Sequence, residues 1–272
     1  MSNPNTSTTS TTSTTSKSAT HATPIAIVTG GSRGLGKSAA LHIARGGSDV
    51  ILTYRSQRAE AEAVVREIEA LGRRAVALPL NVADSSSFAG FADSVKQTLQ
   101  QTWQRDRFNF LVNNAGVGAY ASFMETTEAQ FDDMVNIHLK GVFFLTQKLL
   151  PLVADGGRIV NVSTGMARFV LPNYAAYASM KGAVEVLTRY MAKELGARGI
   201  AVNVVAPGAI ETDFGGGTVR DDAQLNSFIA SQTALGRVGL PDDIGGVIAS
   251  LLSPANGWIN AQRIEASGGM FL

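Results

Sequence analysis

Two residues with reactive side chains, Tyr177 and Lys181, stand four positions apart. In a helix that spacing places both side chains on one face. A free tyrosine has a pKa of about 10, which is too high for an effective base at neutral pH. A nearby ammonium favours the phenolate and lowers that pKa, so we expect Tyr177 to pass a proton to or from a substrate oxygen. Taken alone, the pair also fits a core tyrosine beside a surface lysine.

A glycine-rich turn is the second candidate site. It has the sequence TGGSRGLGKS from Thr29 to Ser38, and it lies between an apolar run and a helical pattern. Glycines allow the backbone to approach a diphosphate closely, and a helix N-terminus favours its negative charge. The spacing Gly34-x-Gly36-x-x-Ala39 fits the dinucleotide-binding form of such a turn.

The same turn also fits a P-loop. Gly31, four further residues and then Gly36-Lys37-Ser38 match the pattern GxxxxGK[ST] in full. A P-loop enzyme also needs an acidic residue near Mg²⁺, usually at the end of another apolar strand. The residues at the predicted strand ends are not acidic; they are Tyr54, Asn81, Asn113 and Ser163. The dinucleotide interpretation is therefore favoured, with a nucleoside triphosphatase as the alternative.

Short apolar runs alternate with helical patterns along the chain, starting with the continuous apolar run Ile25–Val28, which is typical of a buried parallel strand. Apolar residues recur at the spacing of one helix face from Ala61 to Leu71. Strands are predicted at residues 25–28, 49–53, 75–80, 108–112, 158–162, 201–205 and 262–266. Helices are predicted at residues 37–44, 57–71, 85–103, 128–150, 174–197 and 241–252.

This alternation predicts an α/β fold in which helices cover both faces of a parallel sheet. A (β/α)₈ barrel needs eight strands, and eight strand signals are not found. A single-domain doubly wound (Rossmann) sheet is therefore expected. Such a sheet binds its ligand at the carboxyl ends of the strands, where the strand order reverses. The Gly- and Asn-rich turns after the first, fourth and sixth strands all fall at that edge.

Composition narrows the class of protein further. A net charge of +1 favours neither nucleic acid nor an anionic membrane as a partner, and no run of about 18 apolar residues is present to span a bilayer. The chain has no cysteine, and its three histidines form no metal-binding pattern, so no metal site is expected. Of the first 23 residues 15 are Ser or Thr, which predicts a disordered tail (1–23) before a folded domain (24–272). A cytoplasmic location is expected.

Four motifs occur in an order that resembles the short-chain dehydrogenase/reductase family, over about residues 24–270. They are Thr29-Gly-x-x-x-Gly34-x-Gly36, Asn113-Asn-Ala-Gly116, Tyr177-x-x-x-Lys181 and Pro207-Gly208. The resemblance implies a sheet of about seven strands, a bound nicotinamide dinucleotide, and a homodimer or homotetramer. The implied reaction moves hydride between nicotinamide and a small carbonyl or alcohol substrate. Reduction of a 3-oxoacyl thioester is one specific version.

The resemblance also assigns site residues. The catalytic set is Thr164, Tyr177 and Lys181, with Thr164 at a position where the family has serine. Ser163 is adjacent, but strand alternation points its side chain the other way. Residues of the glycine turn hold the diphosphate: Gly30, Ser32, Arg33, Gly34, Leu35 and Gly36. Asn81 and Val82 lie by the adenine. The rest of the dinucleotide is contacted by Asn114, Ala115, Gly116, Tyr177, Lys181, Pro207, Gly208, Ile210 and Thr212.

The choice of cofactor follows from charge. An acidic residue about 18 positions after the last loop glycine normally binds the ribose 2′-hydroxyl of NAD. Here that position is Tyr54, Arg55 follows it, and Arg33 lies in the glycine turn. Two guanidinium groups suit a 2′-phosphate, so both are assigned to cofactor binding and NADP(H) is favoured over NAD(H).

Two further features stay open at this point. His138 stands where the family often has an asparagine that supports a proton relay to the lysine. It is either a relay group, which would make activity pH-sensitive, or a buried structural histidine. Residues 209–236 cover the substrate in the family, and their glycines suggest a mobile lid. A non-catalytic dinucleotide-binding sensor is the main alternative to an enzyme.

Overall fold

The computed structural model describes residues 22–272 of the chain. The predicted disordered tail, residues 1–23, lies outside the described residues except for its last two positions. The carbonyl of Thr23 accepts a hydrogen bond of 2.7 Å from Arg105, so this residue is already held by the folded part of the chain.

Strands and helices alternate along the described chain. The strands are β1 Ile25–Val28, β2 Asp49–Tyr54, β3 Ala75–Pro79, β4 Phe108–Asn113, β5 Val153–Val162, β6 Ala201–Pro207 and β7 Arg263–Ala266. The helices are α1 Gly34–Arg45, α2 Arg58–Ala70, α3 Phe88–Thr98, α4 Glu128–Met134, α5 Gly141–Leu149, α6 Ala175–Leu195, α7 Thr218–Asp221, α8 Ala223–Ser231 and α9 Pro241–Leu252. None of the helices in residues 22–272 is both long and apolar enough to cross a membrane.

The seven strands form one sheet in the order β3-β2-β1-β4-β5-β6-β7, and every neighbouring pair is parallel. The prediction of a doubly wound α/β fold is confirmed. The order reverses between β1 and β4, so the connections that leave these strands diverge and open a crevice at their carboxyl ends. The glycine turn follows β1, and the Asn-Asn-Ala-Gly segment follows β4.

Two apolar cores lie on opposite faces of the sheet. One packs α1, α2 and α9 against the strands, and the other packs α3, α5 and α6. Successive side chains of β1 alternate between them, because Ala26 and Val28 belong to the first core while Ile25 and Ile27 belong to the second. Burial on both faces explains why this strand has a continuous apolar sequence.

Several predicted elements differ in detail from the structure. The single helix predicted at 128–150 is divided into α4 and α5 by a π-helical segment, Val135–Lys140. Strand β5 begins at Val153, five residues before its predicted start, with a shift of register between Phe108 and Phe110 of β4. The segment after β6 contains two short helices, α7 and α8, which were not predicted.

Candidate active site

The glycine turn is packed so tightly that side chains are excluded from it. A Cβ at Gly36 would lie 2.1 Å from the carbonyl oxygen of Gly30, and one at Gly31 would lie 2.7 Å from Leu52. Gly30 and Gly34 adopt φ values of +64° and +54°, which glycine tolerates best. The sequence of the turn is therefore dictated by its backbone path.

Two threonines that the sequence interpretation did not assign to the site hold this turn in place. The buried Thr29 hydroxyl donates to the Val112 carbonyl (3.2 Å) and accepts from the backbone N–H groups of Asn114 (2.9 Å) and Ala115 (3.0 Å). The Thr53 hydroxyl at the end of β2 accepts from the N–H of Gly30 (3.1 Å). These bonds join the ends of three strands at the crevice. A threonine near each strand end was the available sequence signal.

The N-terminus of α1 is suited to an anion. Arg33 occupies the N-cap position without a capping side-chain bond, and the first turn has no acidic residue. Its first N–H groups and the helix dipole therefore face the crevice, and the first turn of the helix itself adds no negative charge there. A dinucleotide diphosphate fits this end of the helix, with the glycine turn allowing its close approach. Asn114 supports the turn because its amide donates to the carbonyls of Thr29 (2.9 Å) and Gly30 (3.3 Å).

The P-loop alternative is wrong for this structure. The Lys37 ammonium, which a P-loop directs at the phosphates, binds Glu67 of α2 at 2.8 Å. The Ser38 hydroxyl, which would bind Mg²⁺, donates to Asp242 of α9 at 2.5 Å. Both side chains are used in packing α1 against its neighbouring helices. Within residues 22–272, no group of three or more His, Asp or Glu side chains is placed to hold a metal ion.

The corner after β2 carries the two predicted arginines. Arg55 is exposed directly after Tyr54, which ends the strand. Arg33 is also exposed, and its guanidinium lies 3.8 Å from the Asp213 carboxylate in the segment after β6. Both cations are therefore accessible near the carboxyl end of β2.

Tyr177 and Thr164 meet at the carboxyl end of β5. Thr164 follows the strand, Tyr177 lies in the first turn of α6, and the Thr164 side chain is close enough to the Tyr177 hydroxyl to lower its pKa. Lys181 lies one turn further along α6, with its Nζ 5.7 Å from the centre of the Tyr177 ring. The Lys181 ammonium donates to the Val162 carbonyl at 2.7 Å. The structure therefore brings together the three predicted catalytic residues.

The expected direction of the Tyr177 pKa shift is wrong. Burial raises the pKa of Tyr177 above its usual value, and the hydrogen bond with Thr164 opposes that shift only in part. Lys181 does not offset the burial, because it is itself buried (4% exposed) and directed at a backbone carbonyl. Burial lowers the pKa of Lys181 to about 8. Tyr177 is thus a phenol at neutral pH, suited to donate a proton.

Ser163 lies on the opposite side of the strand, as strand alternation predicted. Its hydroxyl donates to Glu185 of α6 at 2.7 Å. Glu185 also accepts from Arg263 of β7 at 2.8 Å, and Arg263 approaches the Thr164 carbonyl at 3.4 Å. This ion pair is mostly buried, and it fixes the backbone of Thr164 from behind the site.

The loop that follows Thr164 is tied to the far end of the chain. Arg168 forms two bonds to the Glu265 carboxylate, at 2.6 and 2.7 Å, which hold the pKa of Glu265 at about 2. The same guanidinium donates to the carbonyls of Met270 (2.9 Å) and Phe271 (3.2 Å). We refer to these contacts of Arg168 as the Arg168 clamp.

His138 is buried in the π-helical segment and packs edge-on against Tyr177, with ring centres 5.1 Å apart. Its Nε2 lies 2.7 Å from the Val117 carbonyl, which can only accept, so Nε2 carries the hydrogen. Burial, and after it the charge of Lys181, lowers the pKa of His138 to about 3. The ring is therefore neutral at physiological pH, with Nδ1 as a buried acceptor that has no partner among the described residues.

The other predicted cofactor residues surround the same crevice. Ala115 and Gly116 follow β4, and a Cβ at Gly116 would collide with the His138 ring at 2.7 Å. Asn81 and Val82 follow β3, where the Asn81 side chain accepts from the N–H of Ala83 (3.2 Å). The segment after β6 contributes the remaining predicted residues: Pro207, Gly208, Ile210 and Thr212. Thr212 reaches the glycine turn, since its methyl lies 3.6 Å from the position of a Cβ at Gly34.

A doubly wound sheet, a glycine turn at its reversal point and a hydroxyl pair beside a buried lysine define a dinucleotide-dependent oxidoreductase. A family model described as enoyl-(acyl carrier protein) reductase matches residues 30–271. Over 253 residues the chain is 38% identical to a 3-oxoacyl-[acyl-carrier-protein] reductase of Staphylococcus aureus, covering 92% of this chain and 99% of that protein. The chain belongs to the short-chain dehydrogenase/reductase family.

Solved structures give the same assignment. The promiscuous reductase LugOII, which catalyses keto-reduction at C1 during lugdunomycin biosynthesis, is 35% identical with a TM-score of 0.87, covering 92% of this chain and 98% of that one. The landomycin C-6 ketoreductase LanV, solved with bound NADP and rabelomycin, is 33% identical with a TM-score of 0.83. That match covers 91% of this chain and 96% of the LanV chain.

Proposed function

We propose that this protein is an NADP(H)-dependent carbonyl reductase that acts on a small-molecule ketone. The observation that carries the proposal is the meeting of two hydroxyl side chains, Thr164 and Tyr177, beside buried Lys181 at the carboxyl ends of the strands, where the glycine turn also lies. Two hydroxyl donors that meet at one point suit a carbonyl oxygen. The names of the ketoreductases among its relatives support the same reaction.

When bound, the nicotinamide supplies the hydride. Tyr177 donates its proton to the carbonyl oxygen, and Thr164 holds that oxygen by a hydrogen bond. The ammonium of Lys181, with its Nζ 5.7 Å from the centre of the Tyr177 ring, is the positive charge beside the phenolate that forms in this step. A tyrosine whose pKa is raised by burial is fully protonated at neutral pH, so the resting site is prepared for reduction. Oxidation of the alcohol needs the phenolate and is favoured only at high pH.

The proton lost by Tyr177 has to be replaced, and His138 is suited to that step. Its Nδ1 is a neutral, buried acceptor close enough to Lys181 to respond to its charge. We propose that Nδ1 accepts a hydrogen bond from the group that returns a proton to Lys181. His138 thereby takes the place of the asparagine that the family often has. Because the His138 pKa is about 3, this role does not depend on protonation of the ring near neutral pH.

The pH dependence of reduction follows from Lys181. Its pKa is lowered to about 8, so the ammonium is present below that pH and is lost as the pH rises through it. We expect kcat/KM for ketone reduction to be flat from about pH 6 to about pH 7 and to fall toward tenfold per pH unit above about 8. Initial rates of NADPH oxidation across this range measure the profile. A break near pH 6.5 instead would show a titrating histidine and contradict the neutral state of His138.

NADP(H) is the proposed cofactor because two arginines, Arg33 and Arg55, lie near the end of β2. The position where an NAD-binding protein normally has an acidic residue is Tyr54. We expect the double variant Arg33→Ala/Arg55→Ala to weaken NADPH binding by roughly 10- to 100-fold, since charge-assisted bonds to the 2′-phosphate are lost. NADH has no such phosphate, and its affinity should change less than about twofold. Fluorescence titration of both cofactors measures the difference.

The control is Arg107→Ala, which removes one positive charge directly before β4, at the opposite end of the strands from the cofactor site. It should change neither affinity. If the double variant weakened the binding of NADPH and NADH equally, the arginines would support the fold rather than bind the 2′-phosphate.

A substrate panel tests the function itself. NADPH oxidation is followed with four compounds: 2-tetralone, ethyl acetoacetate, acetoacetyl-CoA and crotonyl-CoA. They separate the reduction of a ketone fused to an aromatic ring, a small ketoester, a 3-oxoacyl thioester and an enoyl thioester. Reduction of at least one of the three keto compounds supports the proposal. Reduction of crotonyl-CoA alone would favour an enoyl reductase, the activity for which the matching family model is described. NADPH binding without any turnover would favour the non-catalytic sensor.

We further propose that the protein acts in the cytoplasm as a homodimer or homotetramer. Large apolar side chains are exposed on the helices that form subunit contacts in the family. They are Phe131 on α4, Phe143 and Phe144 on α5, and Val186 and Tyr190 on α6. Exposed apolar surface of this kind is typical of an interface. The absence of cysteine is compatible with a reducing compartment.

A further inference from the structure

An aromatic side chain from the segment after β6 lies directly against Tyr177. The ring centres of Phe214 and Tyr177 are 5.6 Å apart, and the ring planes are inclined by 54°. The Phe214 ring also rests on Gly118, where a Cβ would lie 3.1 Å from two of the ring carbons. Phe214 therefore joins the segments that follow β4 and β6 across the Tyr177 side chain.

The two rings that pack on Tyr177 differ in how firmly they are held. His138 is buried and hydrogen-bonded to Val117, whereas Phe214 is 40% exposed. Tyr177 itself is only 6% exposed. A substrate has to reach the Tyr177 hydroxyl to take its proton. The neighbour that can make way for it is Phe214.

The backbone after Phe214 is built to allow that movement. Gly215, Gly216 and Gly217 have φ values of +63°, +79° and +81° in succession. At Gly215 and Gly216 an added Cβ would meet nothing within 4 Å, so packing does not explain these glycines. Glycine changes between positive and negative φ at little cost. Three such residues in succession make the backbone beside the Phe214 ring easier to rearrange than one with side chains.

The residue before Phe214 connects this segment to the cofactor side of the crevice. Asp213 binds Arg220 at 2.6 Å and lies 3.8 Å from Arg33 in the glycine turn. A phosphate that takes up Arg33 competes with Asp213 for the same cation. Cofactor binding is thereby coupled to the segment that carries Phe214.

Further aromatic side chains lie close to Tyr177, and they favour a flat apolar ligand. Tyr120 and Tyr174 stack edge-to-face at 5.4 Å, and Tyr174 packs in the same apolar cluster as Tyr177. Phe123 and Met124, in the same segment as Tyr120, are almost fully exposed. Aromatic groups pack favourably on such side chains in tilted or edge-to-face geometries.

We propose that Phe214 determines substrate specificity: its ring leaves Tyr177 to admit the substrate and then packs against the planar aromatic part of a cyclic ketone fused to an aromatic ring. The inference rests on the proposed carbonyl reductase activity. Phe214 acts by closing over the ligand and takes no part in proton transfer. An aliphatic ketone of similar reactivity gains much less from the aromatic ring.

The test compares wild type, Phe214→Ala and Phe228→Ala on 2-tetralone and ethyl acetoacetate with NADPH. Phe228 is an exposed aromatic residue of α8 in the same segment and is the matched control. In Phe214→Ala we expect the ratio of kcat/KM for 2-tetralone over ethyl acetoacetate to fall about tenfold, mainly through a higher KM for 2-tetralone. Phe228→Ala should leave the ratio unchanged.

The outcomes separate this inference from the function on which it rests. A wild type that reduces ethyl acetoacetate but not 2-tetralone, or an unchanged ratio in Phe214→Ala, overturns the role of Phe214 and leaves carbonyl reduction intact. An equal fall in Phe228→Ala also overturns it, because the effect would then belong to the whole segment. A wild type that reduces none of the three keto compounds overturns both proposals.

A second measurement does not depend on turnover. The chain has no cysteine, so Phe214→Cys carries a single thiol whose reaction with a disulfide reagent reports on position 214 alone. We expect 2-tetralone together with NADP⁺, a pair that cannot react, at a concentration that saturates the variant, to slow that reaction at least about fivefold compared with NADP⁺ alone, because the bound ligand covers the residue. An unchanged rate means that the ligand does not contact this position and overturns the proposal.

Discussion

Tyr177→Phe should lower kcat for ketone reduction by about 1,000-fold while leaving NADPH affinity within about twofold of wild type, because a positioned proton donor contributes roughly that factor. The phenyl ring keeps the contacts of Tyr177 with His138 and Phe214, so the fold should be retained. Single-turnover rates with 2-tetralone and a cofactor titration measure the two quantities separately.

Tyr174→Phe is the matched control for this prediction. Tyr174 lies three residues earlier, at the start of α6, and stacks on Tyr120. Removing its hydroxyl should change kcat by less than about threefold, since it is not bonded to Thr164. If Tyr174→Phe proved as damaging as Tyr177→Phe, the assignment of the proton donor would have to be abandoned.

Gly36→Ala should weaken NADPH binding by at least about 100-fold, equivalent to about 3 kcal/mol. The added Cβ would lie 2.1 Å from the Gly30 carbonyl and 2.5 Å from the Asn114 amide nitrogen. Neither atom is the free end of a flexible side chain, since Asn114 is itself bonded to the turn. The turn must therefore open, and its N–H groups lose the geometry that receives the diphosphate. Fluorescence titration measures the loss of affinity.

Two other glycines separate a binding defect from general destabilisation. Gly90→Ala lies on the exposed face of α3 with nothing within 4 Å, and it should raise stability by up to about 1 kcal/mol without altering NADPH affinity. Gly34→Ala introduces strain at a φ of +54° but no collision, so it should fold and bind NADPH with an intermediate affinity. NADPH affinity near wild type in folded Gly36→Ala would refute the proposed role of the turn.

Elements buried on both faces of the sheet were predictable from sequence. Strand β1 has the predicted bounds, Ile25–Val28, because a strand between two cores needs an unbroken apolar run. The start of β5 was missed because Asp155, Gly156 and Gly157 have the composition of a turn, although they lie inside the strand. Composition could not show that a shift of register would accommodate them.

The sequence pattern also did not predict the π-helical segment Val135–Lys140. An apolar periodicity shows which face of a helix is buried, but one wider turn changes that face only locally. The extra residue matters here, because this segment carries the His138 ring that packs on Tyr177. Helices α7 and α8 were missed because the glycines before them conceal a helical pattern.

At the site, the motifs predicted which residues would meet but not their electrostatics. The spacing of Tyr177 and Lys181 predicted a shared face, and the structure brings both to Thr164. The sequence could not show that Lys181 would be directed at the Val162 carbonyl, or that burial would control the pKa of Tyr177. In the same way, Lys37 fits a P-loop by its position alone, and only the structure shows its bond to Glu67.

The Arg168 clamp has a consequence for synthesis of the protein. Arg168 belongs to the loop that follows Thr164, but its partners Glu265, Met270 and Phe271 are encoded about a hundred residues later. During translation, the earlier strands can emerge from the ribosome and begin to pair while this loop still lacks its anchors. A nascent chain can thus form the strands around the glycine turn before the loop beside Tyr177 is anchored. We expect the protein to become catalytically competent only when β7 and the residues that follow it have been synthesised.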